Sequence, residues 1–306
     1  MLNARRPLVH ALPVVAACLV FGSSTAFASS LIGSRNSSVT LDLGSNITAY
    51  ITGLTASEAG SVTASNYLSI IHPYDAEKTG LYDTNLCWAA TSANMLAYTG
   101  WGNVNGFQTE DDILAYYAAN FTDMPGNQQY ANEWFLSGNY QPTDWAGWAQ
   151  LTTAGGGNFW PGVNVSYDYV NVYEEATKLD SLLTYLQDGN AVSLMLAHYD
   201  NGQRSYGHAV TAWGATYDNA TGHLVSLLIS DSDNDYGDGA FADDTLHEIF
   251  LVFDAVSGHY SFSNYYPGGV FESFNTLASA VPEPSVYLMF GLGILTMTLM
   301  RRKKKQ

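Results

Sequence analysis

Cysteine is almost missing from this chain of 306 residues, which contains only Cys18 and Cys87. Cys18 lies inside an apparent export signal, so Cys87 would be the sole thiol of the mature protein, which excludes an internal disulfide. A single thiol in an exported protein is a buried spectator, an intermolecular link or a nucleophile. The spacing of the other polar residues favours the nucleophile.

Basic residues are also scarce, at 11 against 28 acidic ones, and most of them lie in the two terminal segments. Residues 29–280 retain only four, which leaves this span with a formal net charge of about −23. Such a surface repels nucleic acid and anionic lipid, so we expect no nucleic-acid partner. No repeat of regular period is present, and the abundant aromatic residues exclude extensive disorder. No cofactor is predicted.

Residues 1–28 have the pattern of a secretory signal peptide. Two arginines precede an apolar run over residues 8–21, and an Ala-x-Ala motif ends at Ala28. This order predicts export, with cleavage after Ala28. A retained membrane anchor is the alternative, but Pro13 interrupts the run. A lipoprotein cleavage box ending at Cys18 is a second, weaker alternative.

Residues 281–306 contain Pro-Glu-Pro, a short apolar stretch and five closing basic residues, in that order. This arrangement resembles the PEP-CTERM sorting signal of Gram-negative bacteria. The resemblance implies an exosortase-type processing enzyme as a partner. It also implies delivery to the cell surface, outer membrane or extracellular matrix. The apolar stretch predicts a short transmembrane helix and transient membrane contact. A plain C-terminal anchor is the alternative.

The region between the signals divides into an extension or linker over residues 29–69 and one domain over residues 70–278. Residues 39–52 of the extension could hold one or two strands. Inside the domain, helices are predicted over 87–98, from a capping box at Thr109, and over 176–188. Strands are predicted over 191–198, 208–217, 224–230, 245–253 and 259–265. Helices followed by strands favour an α+β fold, with a mainly antiparallel sheet packed against a helical half and a cleft between them.

Three residues have the types and positions of a thiol-based catalytic site. Cys87 begins a predicted helix, where the helix dipole favours a thiolate. His208 enters a predicted strand and could act as the base, with His198 as the best rival. Asp231 ends the following strand, where a hairpin would bring it back to His208 and let it orient the imidazole.

Asp233 points the same way as Asp231 if the chain stays extended. Together with Asp235 these residues also imitate a calcium loop, although the glycine comes one place late and the twelfth position lacks Glu. No metal is predicted, but calcium binding near Asp231–Asp235 stays open. The backbone N–H of Cys87 and the side chain of Asn85 are candidate oxyanion donors.

The Cys-His-Asp order resembles that of papain-like proteases. Three blocks more closely resemble the IgG-degrading (IdeS/Mac-type) cysteine protease family, at residues 80–96, 208–218 and 230–234. The resemblance implies a papain-like fold and peptide hydrolysis, with Cys87 as nucleophile, His208 as base and then acid, and Asp231 as orienter. Asp233 matches a second acidic position of the family. The chain departs from the family at Trp88, where the family has glycine. It also has no aligned oxyanion-hole lysine, because Lys78 precedes the first block.

The leading functional expectation is an exported cysteine endopeptidase that hydrolyses a protein or peptide substrate through an acyl-enzyme. One alternative is a non-catalytic surface or matrix-binding protein on a degenerate protease scaffold. Its aromatic residues would stack on sugars: Trp134, Tyr140, Trp145, Trp148 and Trp160. Another is acyl transfer to an amine, as in transglutaminases, which use the same triad.

Overall fold

A computed structural model describes much of the chain between the two terminal signals. The described residues are 33, 35–72, 74–78, 84–141, 146–152, 155–163, 171–201, 203–233, 245–255, 259–265 and 269–280. The predicted signal peptide and sorting tail, including the predicted transmembrane helix, lie outside them. No helix among the described residues is long and apolar enough to cross a membrane.

Strands dominate the described part of the chain. They are β1 (Ser37–Gly44), β2 (Ile47–Leu54), β3 (Asn171–Glu175), β4 (Ala191–Asp200), β5 (Gln203–Asp218), β6 (Leu224–Ser230), β7 (His247–Asp254), β8 (His259–Phe262) and β9 (Gly269–Leu277). The α-helices are α1 (Ala56–Ala59), α2 (Cys87–Thr99), α3 (Glu110–Asn120), α4 (Gln128–Ser137) and α5 (Leu182–Gln187). Short 3₁₀ turns cover Tyr67–Ser69 and Ala176–Ser181.

Six strands close into an antiparallel barrel in the order β5-β4-β9-β8-β7-β6, because β6 pairs back onto β5. Strand β2 pairs with β5 beyond the end of β4, and β1 pairs with β2. Strand β3 pairs with β9. The segment over residues 29–69, predicted as an extension or linker, therefore contributes two strands to the same sheet.

The predicted α+β, papain-like fold, with a helical half packed against a mainly antiparallel sheet, is wrong. The structure is a closed six-stranded antiparallel barrel with few helices. The physical reason lies in β9, which no strand prediction covered. This strand pairs with β4 on one side and β8 on the other, so it joins the two ends of what would otherwise be an open sheet.

Two apolar clusters fill the structure. Strands β4, β5 and β6 contribute to one of them, together with α5 and residues of β7 to β9. The other surrounds α2, which packs against β4, β5 and β9 and against α3 and α4. Every residue of α2 after Cys87 is buried. A helix that is buried on all sides needs small or apolar side chains all round, which explains its Ala-rich sequence.

Several predicted elements form close to their predicted bounds. Thr109 and Asp112 form the predicted capping box at the start of α3. The helix predicted over 176–188 is divided, with a 3₁₀ segment preceding α5. Helix α4 was not predicted, since its sequence is short and begins with polar residues. Its Asn127 cap, which accepts from the Gln129 N–H, was a missed start signal.

Candidate active site

Cys87 is the first residue of α2 and the only one of that helix that is not buried. Leu86 precedes the helix and makes no side-chain hydrogen bond to its first turn. A helix leaves its first N–H groups without intrahelical partners and carries a partial positive charge at this end. The position therefore suits a thiolate.

His208 lies on β5 and is buried beside the end of β6. The β5–β6 register pairs Thr211 with Ser230, so Asp231, the residue after β6, comes back to His208. The Nε2 atom of His208 lies 2.7 Å from Oδ1 of Asp231. Because a carboxylate only accepts, Nε2 carries the proton, which leaves Nδ1 for another partner.

The Cys87 thiol is also hydrogen-bonded to His208. The backbone N–H of Ala209 also donates to the Cys87 sulfur. The three residues predicted to form a triad, Cys87, His208 and Asp231, are thus brought into one contiguous chain of hydrogen bonds. Cys87, at a helix start, is far from the other two in sequence, whereas His208 and Asp231 are brought together by the β5–β6 hairpin.

The electrostatics of the thiol favour its ionised form. Burial alone raises the pKa of Cys87, but the hydrogen bond and charge of His208 oppose this effect. The charge of Lys78 and the hydrogen bond from the Ala209 N–H lower the pKa further. As a result, the pKa of Cys87 falls below its ordinary value. A depressed thiol pKa is typical of reactive cysteines and not of buried spectators.

The pKa values of the His208 imidazole and the Asp231 carboxylate also shift towards their charged forms. Burial lowers the pKa of His208, but the charge and hydrogen bond of Asp231, followed by those of Cys87, raise it well above its ordinary value. Burial raises the pKa of Asp231, but the charge and hydrogen bond of His208, together with the hydrogen bonds from Tyr265 and the Asp233 N–H, outweigh burial and lower the pKa below its ordinary value. These shifts all act in the direction of a thiolate beside an imidazolium that is held by a carboxylate.

Lys78 also belongs to this cluster, although its position in the sequence does not align with the lysine of the resembled family. Its side chain is only 2% exposed and forms an ion pair with Asp233. Nζ also donates to the Thr84 carbonyl oxygen at 2.9 Å. One signal could have found it: it is one of only four basic residues between residues 29 and 280. A cation that is buried in a chain so poor in cations indicates a specific role.

Asp233 and Tyr265 complete the surroundings of the triad. Oδ2 of Asp233 lies 3.6 Å from Nδ1 of His208, and the Asp233 N–H donates to Oδ1 of Asp231 at 3.1 Å. The buried Tyr265 hydroxyl donates to the other carboxylate oxygen of Asp231. Tyr265 was not among the predicted site residues, because it closed the last predicted strand and carried no other signal.

The candidate oxyanion donor Asn85 lies at the rim of the site. Its backbone N–H donates to Oδ1 of Asp123 at 2.6 Å, and its Nδ2 lies 3.4 Å from the Asp123 carbonyl oxygen. The side-chain donor is thus directed mainly at Asp123. Trp88, which departs from the resembled family, is 1% exposed and donates through Nε1 to the Met124 carbonyl oxygen. Its indole packs against Gly126, where a Cβ would collide with the ring.

His198, the rival base, lies elsewhere. It sits near the end of β4, stacks on Tyr206 and has Nδ1 3.1 Å from the Ser205 hydroxyl oxygen. The aromatic residues considered for sugar stacking are scattered. Trp134 and Tyr140 are buried in the core, Trp160 packs against Trp101, and Trp145 is outside the described residues. Of this set, Trp148 lines the cleft described below.

The structure gives the possible calcium site a different set of ligands from the one predicted. His208, Asp231 and Asp233 place one possible ligand atom each within 4.8 Å of one another. The carboxylates, however, already accept from His208 and Tyr265 and pair with Lys78. A lysine ammonium among the ligands opposes a divalent cation by charge repulsion. Asp235 lies outside the described residues.

A cleft of about 1380 Å³ opens over the triad. One wall carries the start of α2 and the loop over residues 125–127, and the other is formed by β4, β5 and β9. Arg204 lies on the second wall, where its guanidinium occupies the space beside Gly207 and its Nε donates to Glu272 at 3.0 Å. The cleft is large and open enough to admit an extended chain.

Comparison with known families gives one match. The model of the PEP-CTERM protein-sorting motif matches residues 280–304. The prediction of this sorting motif is therefore confirmed, and with it recognition by an exosortase and sorting to the cell surface in Gram-negative bacteria. No curated protein matches the chain significantly. The resemblance to IgG-degrading (IdeS/Mac-type) proteases receives no support.

Proposed function

We propose that this exported protein is a cysteine hydrolase that cleaves peptide bonds through an acyl-enzyme. The observation that carries the proposal is the hydrogen-bonded chain from the Cys87 thiol through His208 to Asp231, at the floor of an open cleft. A nucleophile, a base within reach and a third group that orients the base form the general signature of covalent acyl transfer.

The reaction follows from the protonation states. The Cys87 thiolate attacks the carbonyl carbon of the substrate, and a C–S bond forms as the C=O double bond becomes a C–O⁻ single bond. The imidazolium of His208 then gives its proton to the departing amine, and the C–N bond breaks. Neutral His208 next takes a proton from water, whose oxygen attacks the thioester. The C–S bond breaks, the acid product leaves and the ion pair is restored.

The first turn of α2 supplies the donor for the tetrahedral oxyanion. The Cys87 N–H lies at the positive end of the helix, next to the carbon that is attacked. Loss of one such donor typically costs ~10²–10³ in rate. The buried Lys78 ammonium adds positive charge to this region and so favours the same developing negative charge.

The shape of the cleft favours a polymer over a small molecule. Pockets for small ligands span roughly 300–1,000 Å³ and enclose most of the ligand. The cleft here is larger, at about 1380 Å³, and is open to solvent. A peptide segment that lies across β4, β5 and β9 would reach the Cys87 thiol from the open side.

Alkylation of Cys87 across pH tests the proposal. Iodoacetamide labels the thiolate, and a free thiol ionises near pH 8.5. The lowered pKa of Cys87 predicts fast labelling well below that pH. His208→Ala should move the profile to higher pH, because it removes the largest favourable contribution to the thiolate. The His198→Ala variant is the matched control and should leave the profile unchanged.

Hydrolysis provides the second readout. A casein or peptide-library digest by the tail-free protein should yield new amino termini that disappear with Cys87→Ala. Added hydroxylamine or a free amine distinguishes water from an amine as the acceptor, since amide products would indicate acyl transfer. A labelling profile that rises only near pH 8.5 and is the same in His208→Ala would refute the proposal and favour a binding protein.

A further inference from the structure

The C-terminal end of α2 is covered by both ends of the folded chain. The Gly33 N–H donates to the Ala97 carbonyl oxygen at 2.7 Å, and the Ala280 N–H donates to the Thr99 carbonyl oxygen at 2.8 Å. A Cβ placed on Gly100 would lie 3.9 Å from Gly33 Cα and 3.8 Å from Ala280 Cβ. The first and last described residues therefore meet at one point.

This meeting has a physical cause. A helix leaves its last four carbonyl groups without intrahelical donors, and buried carbonyls must be paired elsewhere. The end of α2 is buried, so water does not reach it freely. Gly102 donates to the Leu96 carbonyl oxygen at 2.9 Å, and the Ala97 carbonyl accepts from Gly100 as well as from Gly33. Ala280 supplies the donor for Thr99. The chain ends thus form part of the helix cap.

Trp101 fixes the last residues more firmly. Its indole Nε1 donates to the Ala278 carbonyl oxygen at 2.7 Å, and its side chain is 8% exposed. The ring also packs edge-on against Trp160. The exit point of the C-terminal segment is therefore set by the fold up to Ala280, which is where the sorting motif begins.

Cys87 lies at the opposite end of the same helix. A helix of 13 residues with a rise of 1.5 Å per residue separates its two ends by ~18 Å. The sorting motif thus departs from the end of α2 that faces away from the thiol. The domain is also strongly acidic, so anionic lipid headgroups repel it and a single attachment point holds it away from the bilayer.

We infer that the C-terminal end of α2 is the face presented to the membrane and to the exosortase-type enzyme, while the Cys87 cleft opens on the far side. The thiol is then accessible both before and after the tail is processed, so removal of the tail does not act as an activation step. Any processing cut falls beyond Ala280, because Thr99 and Trp101 use residues 278–280 as partners. The inference requires a reactive thiol but not the proposed hydrolysis.

The test compares one protein in its tethered and released states. The chain from Ser29 to Gln306 carries a site-specific protease site between Ala280 and Val281, and is held in phosphatidylcholine vesicles by its tail. The labelling rate of Cys87 with a polymer-linked maleimide is measured before and after release. The reporter for the other end carries Cys87→Ala and Asn103→Cys, since Asn103 is exposed just after α2.

We expect release to change the rate at Cys87 by less than about twofold and to raise the rate at Asn103→Cys by at least about fivefold, because a nearby bilayer restricts approach. An equal rise at both positions would mean that the cleft faces the membrane. No rise at either would mean that the end of α2 is not held at the surface. Either result overturns the inference.

Truncation tests the cap separately. A chain that ends at Ala280 keeps the partners of Thr99 and Trp101, whereas one that ends at Leu277 loses them. We expect the chain that ends at Leu277 to have the lower thermal midpoint of unfolding. The chain that ends at Ala280 should have the same midpoint as the tethered protein after its release. Equal midpoints for the two truncated chains would contradict the role of residues 278–280 in fixing the exit point.

Discussion

The two ends of helix α2 differ in almost every physical respect. At the Cys87 end, no side-chain cap is formed by Leu86, and ionisable side chains gather around the thiol. At the Gly100 end, backbone groups of distant segments pair with the carbonyls, and the neighbours are apolar. Ionisable side chains therefore surround the Cys87 end, whereas buried backbone hydrogen bonds and apolar neighbours surround the Gly100 end.

We expect the Gly100 end of α2 to contribute mainly to stability and the Cys87 end mainly to the reactivity of the thiol. Burying charges costs free energy even when they are paired, so we expect the cluster of His208, Asp231, Asp233 and Lys78 to add little net stability. Perturbed ionisable groups that line a cleft are instead typical of functional sites. The Gly100 end shows the opposite pattern, since its bonds complete the backbone pairing of a buried helix.

The largest effect is expected at the stable end. Trp101→Ala should lower the free energy of unfolding by ~3–5 kcal/mol, because it removes a nearly buried indole that packs on Trp160. Urea unfolding measures this loss. The alkylation rate of Cys87 in the folded fraction should stay within about twofold of the original.

Trp101→Phe is the matched control, because it keeps an aromatic ring and loses the hydrogen bond to Ala278, for a cost of about 1 kcal/mol. A marked fall in the alkylation rate of Cys87 in the folded Trp101→Ala protein would mean that the two ends of α2 are not independent.

An intermediate effect is expected at the reactive end. Lys78→Met removes a buried positive charge that lowers the pKa of Cys87, so the pKa should rise. The alkylation rate near pH 6 should then fall by up to about tenfold, and it should recover at high pH, where the thiol is ionised in any case. The whole pH profile, measured on folded protein, checks the direction.

Lys178→Met provides the control, since that lysine pairs with Glu174 on the surface. Its pH profile should match that of the unchanged protein. If Lys78→Met gave the same profile as Lys178→Met, Lys78 would have only a structural role beside Asp233.

The smallest effect is expected for Gly100→Ala. Gly100 has φ 83°, in the left-handed region, so a side chain there should cost about 1 kcal/mol through backbone strain. Gly44→Ala is the matched control, because Gly44 has φ 80° and a Cβ there would meet nothing within 4 Å. Thermal unfolding of both variants separates strain from contact. A much larger loss for Gly100→Ala would mean that Gly33 and Ala280 pack too closely to admit a methyl group.

Local patterns made much of the secondary structure predictable. Alternating and β-branched residues indicated five of the six barrel strands, and the capping box at Thr109 marked the start of α3. Closure of the barrel was not predictable in the same way. It depends on the pairing of β9 with β4 and β8, which are joined to it by sequence-distant contacts that no local pattern records.

The candidate site was partly predictable for a related reason. Cys87, His208 and Asp231 each stand at the end or entry of an element, and a hairpin between β5 and β6 is a local feature. Lys78 stands in a segment without a distinctive pattern, and nothing in the predicted strand that Tyr265 closed linked it to the triad. Only the packing of the chain around Asp231 and Asp233 brings them to the triad.

The sequence by itself determined the scarcity of cysteine, the excess of acidic residues, the sorting motif and the places of several helices and strands, because these follow from composition and from neighbours within a few residues. The tertiary structure alone decided the closed barrel, the addition of Lys78 to the site and the meeting of Gly33 and Ala280 at the far end of α2. Those features depend on pairing partners that are tens to hundreds of residues apart. They form together because burying α2 is favourable and requires its polar backbone groups to be paired.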